Sequence, residues 1–250
     1  MATLNWLARA TARVQIMTFT INGTAAANDV YTLTINGKAA SFTATGAGNP
    51  AVATGLCAAA AAMTALEFTR ITFTVNSNVI TATGTQVGVN FTITASETAA
   101  SGSIATSTTQ TAAGPNDWNS TANWDTGAIP ANGDTVNIDL TRGSILTGLD
   151  QSAVTLAQLR VFSSSATQNV IGLAELNIDG YTEYRTKFLT IGATLIEIDC
   201  QSPRINIDLS SIASTVTILA CGTTGTGNVP PMRLRGSNGS SVIKLYSGYL

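Results

Sequence analysis

Apolar and polar residues alternate in short runs through most of the first 100 positions of this 250-residue chain. RVQIMTFT at 13–20 and VYTLTINGKAASF at 30–42 place apolar side chains at every second position, which predicts β-strands. Asn36-Gly37, inside the second run, is a strong signal for a two-residue hairpin turn. The same alternation predicts further strands at 72–75, 79–82 and 89–93.

One segment departs from this period. NPAVATGLCAAAAAMTAL is dominated by alanine, the residue with the highest helix propensity, and Pro50 suits the first turn of a helix. Val52, Leu56 and Met63 recur at helical spacing. The pattern predicts one amphipathic helix at about 50–66. Residues 1–100 are therefore predicted to form a small antiparallel β domain with a single helix.

Residues 101–115 contain few large apolar side chains and many Ala, Ser and Thr residues, which predicts a linker, with a final strand around Ile104 as the alternative. Beyond it, residues 116–250 are predicted to form a β-solenoid or β-helix-like domain, with a β-sandwich as the alternative. Its short apolar strands are predicted at 136–140, 156–162, 173–178, 189–198, 205–209, 216–219, 232–234 and 242–245.

Two of the three tryptophans, Trp118 and Trp124, lie six residues apart just before the first of these strands. They are predicted to cap the open end of the solenoid, with one face buried and the indole N–H groups bonded to the backbone. The alternative is that they stack on sugar rings or grip a partner surface.

The charge content and the apolar runs of the chain limit the kinds of partner that it is expected to bind. Charged residues make up only 10 % of the chain, the net charge is −2, and no Lys/Arg cluster provides the positive patch that nucleic-acid binding needs. No apolar run is long enough to span a bilayer, and the N-terminal residues lack the apolar core of a secretory signal. Nucleic acid and membrane are therefore not expected as partners, and the chain is expected to fold in the cytoplasm.

The chain contains no histidine, which removes the commonest general base and the commonest zinc ligand. Glycosidases need no histidine, because two carboxylates carry out the hydrolysis. The candidate pairs in this chain are Glu197 with Asp199, and Asp179 with Glu183. Pairing of Arg185 with Glu183 or Asp179 is the simpler interpretation. We therefore predict no enzyme activity, no catalytic residue and no cofactor.

Metal binding is not predicted either. Asp117, Asp125 and Asp134 lie among Asn and Gly residues, but their spacing matches no dedicated calcium loop, and capping of turns explains them better. The three cysteines form no C-x-x-C pair and are expected to be buried apolar residues. A disulfide between Cys200 and Cys221 is the alternative for two of them.

Four segments resemble uncharacterised structural proteins of tailed-phage and prophage virions. DWNSTANWDTGAIPANGDTVNID resembles the segment that often opens β-helical regions in phage and bacterial surface proteins. ARVQIMTFTINGTAAANDVYTLTINGKAASFTATG resembles a small β-rich module of phage structural proteins, and ILTGLDQSAVTLAQLRV and DGYTEYRTKFLTIGATLIEI extend the resemblance over most of the chain.

This resemblance implies a virion protein assembled in the host cytoplasm. A capsid decoration (cement) protein that contacts the major capsid protein is favoured, because the chain is compact and has no long coiled coil or fibrous repeat. The alternative is a tail fibre or tailspike component that contacts tail proteins and binds a host receptor or glycan. The resemblance also implies a homo-oligomer, and trimers are common among such proteins.

Apolar and aromatic residues near the N-terminus and in the C-terminal region, together with one arginine, are the candidate interface residues. They are Trp6, Leu7, Val14, Trp118, Trp124, Tyr181, Tyr184, Arg185 and Phe188.

Overall fold

The structure is a computed structural model that describes residues 1–99, 101–163, 168–173, 185–200, 204–221 and 232–246. Over these residues the chain is mainly β and divides into two compact units. Ala12–Ala113 forms the inserted unit, and Met1–Thr11 together with Gly114–Leu250 forms the ladder unit. The inserted unit therefore interrupts the sequence of the ladder unit.

The elements of both units are numbered along the chain. They are β1 (Thr3–Asn5), β2 (Ile16–Gly23), β3 (Val30–Ile35), β4 (Lys38–Thr43), α1 (Asn49–Ala61), α2 (Leu66–Thr69), β5 (Ile71–Asn76), β6 (Val79–Gly84), β7 (Thr94–Glu97), β8 (Gly102–Gln110), β9 (Thr135–Asp139), β10 (Asp150–Phe162), β11 (Leu189–Cys200), β12 (Ile205–Asp208), β13 (Thr215–Cys221), β14 (Met232–Arg235) and β15 (Val242–Leu245). A 3-10 turn, Thr121–Asn123, precedes β9.

The inserted unit contains two antiparallel sheets, with strand orders β5-β6-β2-β8 and β4-β3-β7. Alternate residues of β2 and β3 are buried, as the period-2 pattern predicts. Helix α1 contacts strands of both sheets and buries Val52, Leu56 and Ala60 against them. The predicted antiparallel β domain is confirmed, but it contains two helices, α1 and α2, and not the single one expected.

The predicted hairpin is also confirmed. Asn36 and Gly37 both have positive φ, 48° and 76°, and the turn pairs Ile35 with Lys38. Beside the turn, the Lys38 ammonium lies 2.9 Å from a carboxylate oxygen of Glu67, a side chain that is only 2 % exposed. This ion pair joins the hairpin to α2.

Helix α1 forms where the alanine-rich segment predicted it, but it ends at Ala61 rather than at 66. Ala65 has an extended backbone and precedes the short helix α2, which buries Glu67 and Phe68. The helical segment is therefore broken into two pieces at Ala65.

Residues 102–110, most of the predicted linker, form β8, so the alternative of a final strand is the correct one. β8 pairs antiparallel with β2 from Gly102 opposite Gly23 to Gln110 opposite Ile16. It is an edge strand with mostly exposed side chains, which is why its sequence is polar. The strand expected at 89–93 is absent, since these residues have irregular backbone.

All described strand pairs in the ladder unit are parallel. One series runs β1-β9-β10-β11-β13-β15, and β11 also begins a second series with β12 and β14. Most of the strands predicted in 116–250 are present, while 173–178 lies almost wholly outside the described residues. Strands of a β-sandwich pair antiparallel, so the parallel pairing does not match that alternative.

The register of the first series aligns equivalent side chains in columns. Leu4, Val136, Leu159, Ile196 and Val216 are successive partners and are each at most 2 % exposed. A second buried column, two residues further along the strands, contains Ile138, Val161, Ile198 and Ile218. The core of this unit is therefore built by stacking aliphatic side chains on one another.

The sequence pattern placed the N-terminal residues in the first domain. In the structure, Met1–Thr11 belongs to the ladder unit instead. β1 pairs with β9, which lies far away in the sequence, through Thr3–Thr135 and Leu4–Val136. Leu4 continues the first apolar column, and this burial outweighs proximity along the chain. Among the described residues, no helix combines the length and apolar character needed to cross a membrane.

Candidate functional site

Three tryptophans meet at the β1 end of the ladder unit. The rings of Trp6 and Trp124 have centroids 5.1 Å apart at 68°, and those of Trp118 and Trp124 have centroids 4.8 Å apart at 70°. Both pairs have the edge-to-face geometry that aromatic quadrupoles favour. Sequence spacing indicated the second pair but not the participation of Trp6.

This tryptophan cluster is buried, since none of the three side chains is more than 2 % exposed. Trp124 Nε1 donates to the Trp118 carbonyl at 2.9 Å and Trp6 Nε1 to the Gly143 carbonyl at 3.3 Å, whereas Trp118 Nε1 has no partner among the described residues. Indoles so enclosed offer no ring face to a sugar or partner. The structure therefore places these three candidate interface residues in the core.

Asn123 organises the same end and was not singled out from the sequence. It is fully buried, and its Nδ2 donates to the carbonyl oxygens of Gly114 and Asp117, each at 2.8 Å. Its Oδ1 accepts from the Ala10 amide at 2.7 Å. A single side chain thus satisfies backbone groups from both sequence segments of the ladder unit, which an isolated Asn in a sequence does not reveal.

The three aspartates considered for calcium form separate sets of hydrogen bonds. Asp134 accepts from the amides of Ala2 at 2.7 Å and Ala131 at 3.1 Å, and Asp125 accepts from the Asn5 amide at 2.9 Å. Asp117 accepts from the Asn119 amide at 3.1 Å within its own turn. Capping of backbone groups is thus observed for each, and no group of three metal-ligating residues occurs in the part of the chain that the structure describes.

Hydrogen bonds and burial shift the pKa values of these three carboxyl groups in different directions. The amides of Ala2 and Ala131 lower the pKa of Asp134. Burial raises the pKa of Asp125, but hydrogen bonds from Asn5 and nearby amides outweigh it and the pKa is lowered. Burial dominates at Asp117 and raises its pKa. Asp125 and Asp134 therefore favour the docked N-terminal strand in their ionised forms.

Of the carboxylates considered for hydrolysis, the structure describes Glu197 and Asp199, both in β11. Glu197 accepts from Arg160 Nε at 3.0 Å and Nη2 at 2.9 Å, across neighbouring strands. This is an exposed ion pair of the kind that stacked strands form. Asp179, Glu183 and the interface candidates Tyr181 and Tyr184 lie outside the described residues.

The other interface candidates occupy different environments. Phe188 is 5 % exposed, and the Arg235 guanidinium carbon lies 3.9 Å from its ring centroid. Arg185 is half-buried, as are Leu7 and Val14. Leu7 donates its amide to the Asn123 carbonyl, whereas the Val14 carbonyl accepts from Gln110 in the inserted unit. The predicted N-terminal contacts are therefore divided between the two units.

All three cysteines are buried, as expected from the sequence. Cys200 in β11 and Cys221 in β13 are register partners on adjacent parallel strands, a proximity that sequence spacing could not establish. Burial raises the pKa of the Cys57 thiol in α1.

No protein-family model matches this chain, and no curated protein matches it.

Proposed function

We propose that this protein is a non-enzymatic structural component of a tailed-phage virion, in which it decorates and stabilises the capsid. We also propose that its ladder unit is a β-solenoid. The phage origin rests on the resemblance of the sequence segments, and the structural role rests on the organisation of the ladder unit.

The stacked register of the parallel strands is the observation that carries the proposal. From β1 to β13, aliphatic columns remain buried while the neighbouring column contains Asn5, Asn137, Arg160, Glu197 and Thr217 on the outer side. Inward apolar and outward polar columns of this kind are what repeated turns of a solenoid produce. The buried tryptophan cluster supports the assignment of one end as a cap.

The described polar groups also support a structural role. Asp125 and Asp134 bind backbone amides that hold the N-terminal strand, and Glu197 binds Arg160. These contacts stabilise the fold. They do not bring the three carboxylates together at one site. Decoration is favoured over a tail fibre because the chain consists of two compact units.

A decoration protein acts by burying surface against its neighbours, which raises the barrier to dissociation of the particle. The proposed partner is the major capsid protein, and further copies of this chain are proposed to complete an oligomer. Deleting residues 1–13 is unsuitable as a test of attachment, because it removes β1 and the buried Trp6.

Cryo-electron microscopy of purified particles that contain this chain tests the proposal. Density for both units repeated over the capsid lattice is the expected result. Density confined to the tail would favour the tail fibre alternative, and a lysate in which the chain never co-purifies with particles would contradict both virion roles.

A further inference from the structure

The last described strand of the ladder, β15, has a described partner along only one of its edges, and the other is called its open edge. It pairs with β13 on one side, where the amides of Val242 and Tyr246 donate to the carbonyls of Ser214 and Ile218, each at 2.9 Å. Successive backbone groups on a strand point to opposite edges, so the N–H and C=O groups of Ile243 and Leu245 point away from β13. No described strand pairs with that edge.

The apolar columns also end uncovered at this strand. Ile243 is the register partner of Val216 and extends the first column, while Leu245 is the partner of Ile218 and extends the second. The earlier members of both columns are at most 2 % exposed, but Ile243 is 57 % exposed and Leu245 is 44 % exposed. One further parallel strand would continue the existing packing and cover both side chains.

The opposite end of the ladder is closed in a different way. The outer side of β1 is covered by residues 123–125, where the Leu7 amide donates to the Asn123 carbonyl at 2.7 Å and the Asp125 amide donates to the Asn5 carbonyl at 3.1 Å. The edge of β1 is thus already occupied. A second copy could stack head to tail, with its β1 on β15, only if residues 123–125 moved away from its β1.

Charge indicates which kind of strand could pair with this edge. Lys244 extends the outward column and is the partner of Thr217, so its neighbour in the next strand would lie about 5 Å away. Pairing two copies of β15 in register would bring two Lys244 ammonium groups together, which is unfavourable. Elsewhere in this column opposite charges are neighbours, since Arg160 Nη2 lies 2.9 Å from Glu197 Oε1.

We propose that the open edge of β15 is a docking site for an extended segment of another protein, which adds as a parallel strand with an apolar–acidic–apolar sequence. The two apolar side chains cover Ile243 and Leu245, and the acidic side chain pairs with Lys244. This mode of recognition is strand addition, in which main-chain hydrogen bonds supply affinity and alternate side chains supply specificity. The inference deepens the proposed structural role, since it rests on the same stacked register.

A labelled peptide tests the proposal on the full chain in solution. The chain's own residues 195–199, LIEID, have the required alternation, so a peptide with this sequence between threonines is the probe. Fluorescence anisotropy is expected to show saturable binding. A peptide of the same composition with the alternation scrambled is the matched control and is expected not to bind.

Two variants identify the edge. Lys244→Glu is expected to weaken binding of the LIEID peptide roughly tenfold, equivalent to about 1.4 kcal/mol, and to bind the corresponding LIKID peptide instead. Ile243→Pro removes an N–H that points to the open edge, a position where proline is tolerated, and is expected to abolish binding of both peptides. Tryptophan fluorescence checks that each variant is folded, and Lys244→Gln replaces Lys244→Glu if the latter is not.

Absence of binding up to the solubility limit of the peptide, or equal binding by all folded variants, would overturn the proposal. Sedimentation analysis provides a further test, because a dimer that is lost in Ile243→Pro would assign the edge to a second copy of this chain. Failure of the chain to incorporate into particles would count against the virion role alone, since peptide binding is measured without particles.

Discussion

The two units build β-structure from opposite kinds of strand pairing. In the inserted unit, neighbours in sequence pair antiparallel through tight turns, as β3 does with β4 and β5 with β6. In the ladder unit, the described strands pair in parallel, and paired residues lie 18 or more positions apart in the sequence. The comparison shows that turn residues specify two hairpins of the first unit locally, whereas its other strand pairs and all those of the second unit depend on matching side chains over long sequence separations.

Their cores differ accordingly. The inserted unit packs large rings such as Phe19, Tyr31 and Phe68 with the small residues of α1. The ladder unit stacks aliphatic residues of similar size in columns and confines its tryptophans to one end. Size complementarity therefore decides the first core, and register decides the second.

The largest expected effect comes from Trp6→Ala. Truncating a buried tryptophan costs about 3 to 5 kcal/mol, because the ring's contacts are lost and a cavity remains. All three tryptophans lie in the ladder unit, so tryptophan fluorescence during urea unfolding reports on that unit alone. The fluorescence transition is expected to move to much lower urea, while the far-UV circular dichroism of the α1-containing unit keeps its own transition.

Phe19→Ala is the matched control in the inserted unit, where Phe19 is fully buried. It is expected to shift the circular dichroism transition and to leave the fluorescence transition in place. If both signals move together in both variants, the two units unfold as one cooperative unit, contrary to this prediction.

Gly55→Ala is expected to destabilise the inserted unit although it removes a glycine from the centre of α1. A Cβ at this position would overlap the Phe42 ring of β4. The overlap is expected to cost about 1 to 3 kcal/mol, more than the gain of about 1 kcal/mol in helix propensity. Thermal unfolding followed by far-UV circular dichroism measures the difference.

The Phe42→Ala background provides the control. With the ring absent, Gly55→Ala is expected to reverse its sign and stabilise the unit by about 1 kcal/mol. Destabilisation of equal size in both backgrounds would show that contact with Phe42 is not the reason for glycine.

Asp134 and Asp117 in the ladder unit are expected to change the free energy of unfolding in opposite directions as the pH falls. Because the pKa of Asp134 is lowered, its contribution to stability is present above about pH 4, the ordinary carboxyl range, and is lost as the pH falls through the lowered pKa. The pKa of Asp117 is raised, so its contribution is present at low pH and is lost as the pH rises. Asp134→Asn should flatten the acid loss of stability, and Asp117→Asn should steepen it.

Urea midpoints from tryptophan fluorescence, measured in steps between about pH 3 and pH 6, follow both variants. The opposite signs make each variant the control for the other. Parallel curves for the two variants would mean that the pKa values of Asp134 and Asp117 are not shifted in opposite directions.

The smallest expected effect is the coupling between Arg160 and Glu197. Both side chains are partly exposed, so a double-mutant cycle with alanine is expected to give about 0.2 to 1 kcal/mol. The exchanged pair Arg160→Glu with Glu197→Arg should recover most of the stability lost in either reversal alone. Coupling that is unchanged at high salt would contradict an electrostatic origin.

Parts of the candidate site were readable in the sequence because their signals are local. Trp118 and Trp124 are close in the chain, and aspartates among Asn and Gly residues indicate turn capping. Trp6 and Asn123 could not be assigned in this way. Their roles depend on β1 pairing with β9, and nothing near either residue in the sequence encodes that partner.

The sequence by itself determined the β character of the chain, the Asn36-Gly37 turn and the position of α1, because period, turn chemistry and helix propensity act between near neighbours. Tertiary structure alone decided that β8 belongs to the first sheet, that β1 belongs to the ladder unit, and which aliphatic residues stack in each column. These outcomes depend on burial between distant segments. Many registers share the same apolar alternation, and only packing in three dimensions selects among them.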